Sequence, residues 1–194
     1  MNPLGWHSRG YLPHFNGGEI AQTVTFRLHG SLPQELVART RQELRRLPPD
    51  EAAAELRQRL EEYLDHGHEP TWLSRPEVAG LVQDAMLHFD GQRYRLLAWA
   101  IMSNHVHAML MPMAPRDLSD ILFSWRSYTA NQANKLLERR GAFWDRDYFD
   151  RFVRNEQHPA NAMAYIEMNP VRAGLCASPE LWRFGSASLR LHGR

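Results

Sequence analysis

Two histidines one residue apart, His105 and His107, stand inside an apolar stretch that runs from Leu96 to Pro112. Leu96, Leu97, Ala98 and Trp99 precede them, and Val106, Ala108 and Leu110 interleave with or follow them, a composition that reads as strand. In a strand, residues i and i+2 point to one face, with Cα atoms about 6.5 Å apart. Both imidazoles can then converge on one cation, while Val106, Ala108 and Leu110 turn the other way into a core. The chain must therefore build a sheet with one apolar face and one face carrying nitrogen donors. This strand would hold half of a metal site, and a reacting group has to come from elsewhere in the chain.

The 194 residues suffice for one domain with a sizeable core, and a hydrophobic share of 43% rules out global disorder. A formal net charge of +1 carries no argument about nucleic acid, but the positive charge is almost all arginine, with Lys135 the single lysine. Arginine grips phosphate bidentately and stacks on bases. The single cysteine, Cys176, excludes an internal disulfide and a cysteine zinc cluster, and fits a reducing cytoplasm. No apolar run approaches the ~20 residues that span a bilayer, and the N-terminus lacks the apolar core of a signal peptide. A cytoplasmic location without a membrane partner is the expectation.

Residues 1–18, with Trp6, Tyr11 and Phe15, read as an ordered arm or loop in which Arg9 and Tyr11 are candidates for contact with nucleic acid. Ile20 to Leu28 reads as a first strand with Val24 and Phe26 on one face. Residues 34–65 read as two charged helices broken at Pro48-Pro49, with Asp50 as N-cap of the second and Leu56, Leu60 and Leu64 on its buried stripe. A helix is expected over Pro76 to Phe89, strands over Tyr94 to Met102 and His105 to Met111, and a helix over Arg116 to Arg140. Phe143 to Arg154 looks extended, and a short helix, Ala160 to Asn169, is bracketed by Pro159 and Pro170. This order does not alternate as parallel βαβ units do. It favours an α+β sandwich, a mainly antiparallel sheet with helices on one side.

A histidine pair needs a third ligand and a reacting group, and the helix near the C-terminus offers both. Tyr165 and Asn169 are four residues apart and share a face. Asn169 can supply a carbonyl oxygen, and the Tyr165 phenol can act as a nucleophile. Tyr128, with Gln132 four residues on, has the same spacing on a longer helix, and spacing alone does not choose between them. Asp145, Asp147 and Asp150 form a carboxylate group that would suit Mg²⁺. Asp65-His-Gly-His-Glu69 contains a second His-x-His, at a glycine-containing helix end among solvated charges. No P-loop, nucleophile elbow, H-E-x-x-H or dinucleotide glycine motif is present.

Taken together, the motifs resemble those of the REP-associated tyrosine transposases, relatives of the single-tyrosine HUH insertion-sequence transposases. Ser8-Arg-Gly-Tyr-Leu-Pro-His-Phe15 with Val24-Thr-Phe-Arg-Leu28 is similar to that family's opening, and Phe89-Asp-Gly with Arg93-Tyr-Arg-Leu-Leu-Ala-Trp99 to its lead into the histidine strand. Ser103-Asn-His-Val-His107 matches the His-hydrophobic-His signature, and Tyr165-Ile-Glu-Met-Asn-Pro-Val-Arg-Ala-Gly-Leu175 resembles the tyrosine helix. Ser103 departs from the pattern, where proline is usual before Asn-His; the change touches the turn and no ligand.

The resemblance implies a ferredoxin-like HUH fold, with helices packed on a mainly antiparallel sheet and a helical hairpin inserted after the first strand. It implies one domain over 1–194, with 34–66 as the insertion and 176–194 as a C-terminal tail. His105, His107 and Asn169 would be the metal ligands, and Tyr165, rather than Tyr128, the nucleophile. The cofactor would be Mg²⁺ or Mn²⁺, although two imidazoles are softer than Mg²⁺ prefers and ligand chemistry alone ranks Mn²⁺ or Zn²⁺ higher. The implied reaction is transesterification of single-stranded DNA from palindromic repeat hairpins through a 5′-phosphotyrosine, in a monomer or a homodimer. Arg9, Tyr11, Arg126, Arg146, Arg151, Arg154 and Arg172 flank the motifs and are the candidate DNA contacts. Two other readings stay open: a protein that binds DNA hairpins without cutting them, and a zinc hydrolase built on the histidine pair.

Overall fold

The computed structural model describes residues 5–8, 13–16, 18–152 and 158–193. Within the N-terminal arm, β1 (Gly5–Ser8) pairs antiparallel with β2 (Pro13–Asn16). The body of the chain follows with β3 (Gln22–Leu28), α1 (Gln34–Glu43), α2 (Pro49–Asp65), α3 (Pro76–Leu87), β4 (Tyr94–Ile101) and β5 (His105–Pro112). It closes with α4 (Leu118–Leu136), β6 (Trp144–Phe152), α5 (His158–Arg172) and α6 (Ser186–Leu191). Strands β3 to β6 form one four-stranded sheet in the order β4-β5-β3-β6, and every pairing is antiparallel.

Strand period sorts the side chains onto two faces. Val24 and Phe26 of β3, Trp99 and Ile101 of β4, and Val106, Ala108 and Leu110 of β5 share one face. They bury against Val78, Val82 and Met86 of α3 and Leu118, Ile121, Leu122 and Trp125 of α4. Thr25, His105, His107, Met109, Ala98 and Ala100 share the other face. Ala98, Ala100 and Met109 pack there with Ile166, Ala162 and Met163 of α5. Phe149 joins Leu56, Leu60 and Leu64 of α2 on the same face. Helices therefore cover both faces of the sheet, not one. The alanines of β4 explain why: their small side chains let α5 come close to a strand face that the histidines make look polar.

Several helix boundaries differ from expectation by a few residues, and two of them have a physical reason. Helix α2 begins two residues earlier, with Pro48 as its cap residue and Asp50 in the first turn, where its charge suits the helix dipole. Helix α5 runs through Pro170 to Arg172 rather than stopping before the proline. Pro170 has no N–H to offer the carbonyl one turn back. The Asn169 amide fills in, donating to the carbonyl oxygens of Tyr165 at 3.0 Å and Ile166 at 3.4 Å.

The segment after α5 anchors that helix to the sheet edge. The Trp99 N–H donates to Ser186 Oγ at 3.1 Å, and Ser186 Oγ donates to Glu167 Oε1 at 2.5 Å. Arg190 pairs with Glu167 at 2.6 Å, and the Trp182 indole donates to the Ile101 carbonyl at 3.0 Å. Among the described residues no helix is long and apolar enough to cross a membrane.

Candidate metal and nucleophile site

The two imidazoles meet on the face shared with α2 and α5. His105 is fully buried and His107 is nearly so. Their Nε2 atoms face each other at 2.8 Å, with the rings at 89° to one another. The other ring nitrogens are fixed by neighbours. Asn104 Nδ2 donates to the His68 carbonyl at 2.8 Å, which turns Asn104 Oδ1 toward His105 Nδ1 at 2.7 Å. Thr25 Oγ1 donates to Glu61 Oε1 at 3.2 Å, which leaves the threonine oxygen to accept from His107 Nδ1 at 2.9 Å. Both rings thus carry their proton on Nδ1 and aim the Nε2 lone pair at the other ring. Such orientation by hydrogen bonds behind the ring is how metal-ligating histidines are held.

The sequence alone does not show that a carboxylate stands beside them. Asp65, in the last turn of α2, places Oδ1 at 3.3 Å from His105 Nε2 and 3.9 Å from His107 Nε2. Asp65, His105 and His107 are the only group of three such ligands close enough to hold one ion among the described residues. Asp65 Oδ1 is buried and lacks a hydrogen bond of good geometry. Burial pushes the Asp65 carboxyl up, but the imidazoles beside it more than offset this and keep it below the usual carboxylate range. Burial, and then His107, hold His105 down to about 4, so its ring is neutral at neutral pH. With both Nε2 atoms unprotonated, two nitrogen lone pairs and a carboxylate oxygen converge, which is repulsive unless a proton or a metal cation sits among them.

Asn169 is fully buried, and its Oδ1 has no hydrogen-bond partner while its Nδ2 is engaged along α5. An orphaned amide oxygen on a helix packed against β4 is what a hard cation uses. The donor set therefore fits a divalent metal ion.

Tyr165 lies one turn before Asn169 and is 42% exposed, so its side chain is partly open to solvent. The Arg172 guanidinium sits over its ring, 4.6 Å from the centroid. Burial first, and then the Glu61 charge, raise the phenol above its usual range; Arg172 acts in the opposite direction, and Asp65 adds a further upward push. Tyr165 thus senses two carboxylates of α2, the helix that also lies beside the histidines. Tyr128 is exposed on α4, which packs on the face opposite the imidazoles, so the rival nucleophile stands across the sheet from them.

The remaining candidates disperse. Asp145 is tied to Arg27 at 3.0 Å, and the three aspartates of β6 do not come together as ligands. His66 bonds the Glu62 carbonyl through Nδ1 at 2.6 Å, and His68 stacks on Tyr63. Arg126 donates to the backbone carbonyls of Asp145 and Arg146, so its guanidinium is spent on the start of β6. Arg146 and Arg172 are exposed. Arg9, Tyr11 and Arg154, and the side chain of Arg151, lie outside the described residues. The sequence reading missed Asn104 as well as Asp65. A polar residue directly before the first histidine of the strand was the available signal for Asn104; Asp65 lies forty positions upstream of the histidine strand and gives none.

Comparison with known proteins follows the same geometry. Residues 83–169 match the family described as "Transposase IS200 like", just under half of the chain, and this stretch contains both histidines, Tyr165 and Asn169. A solved structure of a REP-associated tyrosine transposase bound to a REP hairpin superposes with a TM-score of 0.61 at 13% identity, over 96% of this chain and 87% of that one. At that identity the likeness establishes the fold. A putative transposase from Deinococcus radiodurans R1 matches at a TM-score of 0.41 and 15% identity, over 84% of this chain and 96% of that one. No curated protein sequence matches the chain. The resemblance read from the motifs agrees with both findings: residues 83–169 match the IS200-like transposase family, and the fold is that of a tyrosine transposase.

Proposed function

We propose that the protein is a divalent-metal-dependent endonuclease and strand transferase acting on single-stranded DNA of palindromic repeat hairpins, with Tyr165 as its nucleophile. One observation carries the reading: the Nε2 atoms of His105 and His107 face each other at 2.8 Å, on the sheet face against which α5, the helix carrying Tyr165 and Asn169, packs. His105, His107 and Asn169 are the proposed ligands. When bound, Mn²⁺ or Mg²⁺ supplies charge that polarises the scissile phosphate and fixes it for in-line attack; the two nitrogens favour Mn²⁺.

The protein's own groups do the rest. The Tyr165 oxygen bonds to phosphorus as the bond to the 3′-oxygen breaks, and the phenol proton is lost while the departing oxygen gains one. Because the phenol is held above its ordinary range, its proton has to leave during the attack rather than before it. Arg172, over the ring, is placed to meet the phosphate beside the phenol. The product is a 5′-phosphotyrosine, which another DNA end reverses to rejoin strands.

The DNA substrate is drawn from the hairpin held by the structurally similar transposase. Arg146 and Arg172, with Arg9, Tyr11, Arg151 and Arg154, are proposed contacts to it. The β-α-β-β-α-β chain order of β3, α3, β4, β5, α4 and β6 supports the ferredoxin-like reading. The chain is read as one domain with α1 and α2 as an insertion and 176–194 as a tail. The packing of α5 on the histidine face within one chain is consistent with a site complete in one subunit, and a cytoplasmic location is proposed from the DNA substrate.

The test is cleavage of end-labelled hairpin DNA with Mn²⁺. The wild type cuts and the Tyr165→Phe variant does not. Cleavage by Tyr165→Phe refutes the nucleophile, and salt-sensitive binding with no cleavage in any metal favours a hairpin-binding protein instead.

A further inference from the structure

We propose that Asp65 is a ligand of the divalent ion, delivered by α2, so that the histidine strand is flanked by oxygen donors from two helices. The inference rests on the metal site proposed above and extends its ligand set. Its first support is metric. His105 Nε2, His107 Nε2 and Asp65 Oδ1 form a triangle with sides of 2.8, 3.3 and 3.9 Å. Three such corners share one point about 2.0 Å from each, the length of a bond from a divalent metal to imidazole nitrogen or carboxylate oxygen.

The second support is that Asp65 Oδ1 has no other occupation: it is buried and without a hydrogen-bond partner. The third is that its position is built. Leu56, Leu60 and Leu64 bury one stripe of α2 over Phe149, which turns the flanking Glu61 and Asp65 toward the histidine face. Glu61 is used there, accepting from Thr25. Just past Asp65 the chain turns at Gly67, whose φ of +69° is a left-handed conformation, and a Cβ at that glycine would stand 3.3 Å from Ser103 Oγ. The next residue, His68, is tied through its carbonyl to Asn104 at 2.8 Å. The end of α2 is therefore fastened to the turn that opens the histidine strand.

The chemical consequence concerns metal choice. Two imidazoles alone suit Zn²⁺; a carboxylate and an amide oxygen added to them shift the site toward harder, six-coordinate ions such as Mn²⁺.

The experiment is Mn²⁺ titration of the full chain, followed by the electron paramagnetic resonance signal of free aqueous Mn²⁺ and by calorimetry. Wild type, Asp65→Asn, Asp65→Ser and His107→Ala are compared, with thermal melts to show that each variant is folded. Both Asp65 variants are expected to bind Mn²⁺ at least tenfold more weakly, and to lose more affinity for Mn²⁺ than for Zn²⁺. Mn²⁺ affinity within twofold of wild type in both Asp65 variants, with binding lost in His107→Ala, overturns the role of Asp65 and leaves the histidine site standing. Failure of the wild type to bind any divalent ion overturns both.

Discussion

The side-chain amide of Asn169 donates to the carbonyl oxygen of Tyr165 at 3.0 Å, one turn back along α5. One side chain thereby does two things. Its nitrogen closes the helix at the point where Pro170 cannot, and its oxygen is left buried without a partner.

Replacing Asn169 by alanine is expected to show both losses. The carbonyls of Tyr165 and Ile166 lose a donor, the second at a buried position, which costs roughly 1–2 kcal/mol of stability, read by chemical denaturation. Mn²⁺ affinity falls as well, read by titration. Asn169→Asp, which keeps an oxygen but not the donor, is expected to lose stability while retaining more of the affinity than alanine does.

Much of this arrangement is legible in the sequence. The i, i+2 spacing put His105 and His107 on one strand face, and the i, i+4 spacing put Tyr165 and Asn169 on one helix face. What periodicity could not show is which helix covers which face. Ala98 and Ala100 look like filler in the sequence, yet they make the room that α5 occupies. Pro170 read as a stop because the compensating donor is a side chain rather than backbone. Asp65 was hidden because its contact with the histidines is a matter of tertiary packing across forty residues, and its local surroundings look like an ordinary solvated helix end.

Thr25→Val removes the hydroxyl that links Glu61 to His107 Nδ1. The ring is then free to turn, and His107 Nδ1 is left buried without an acceptor. Metal affinity is expected to fall about 10–100-fold, with a stability loss of about 1–3 kcal/mol in the metal-free protein. Calorimetric titration with Mn²⁺ and a thermal melt in chelator separate the two effects.

Stability should fall on the acid side. Burial and His107 hold His105 down to about 4 in the folded chain, against an unfolded value of about 6.5. Between those values the unfolded chain binds the extra proton and the folded chain does not, so stability rises with pH through that window and is lost as pH drops from about 6.5 toward 4. The depressed Asp65 carboxyl acts in the same direction at lower pH. The His105 part amounts to at most about 3 kcal/mol. Denaturation of the metal-free protein at a series of pH values measures it, and His105→Gln should flatten the slope.

Ser186→Ala tests the tail as an anchor for the tyrosine helix. The Trp99 N–H loses its acceptor and Glu167 loses a donor, both at a buried position. A loss of about 1–2 kcal/mol is expected by denaturation. Glu167→Gln, which keeps a hydrogen-bonding group but removes the charge facing Arg190, is expected to cost less.

The most direct test of the account is to identify the covalent bond itself. The full chain is incubated with single-stranded hairpin DNA and Mn²⁺, digested with protease and nuclease, and the adduct is located by mass spectrometry. The account predicts a nucleotide carried on Tyr165 through a phosphodiester to the phenol, absent from Tyr165→Phe and from His105→Ala. An adduct on any other residue, or one that forms unchanged in both variants, contradicts it.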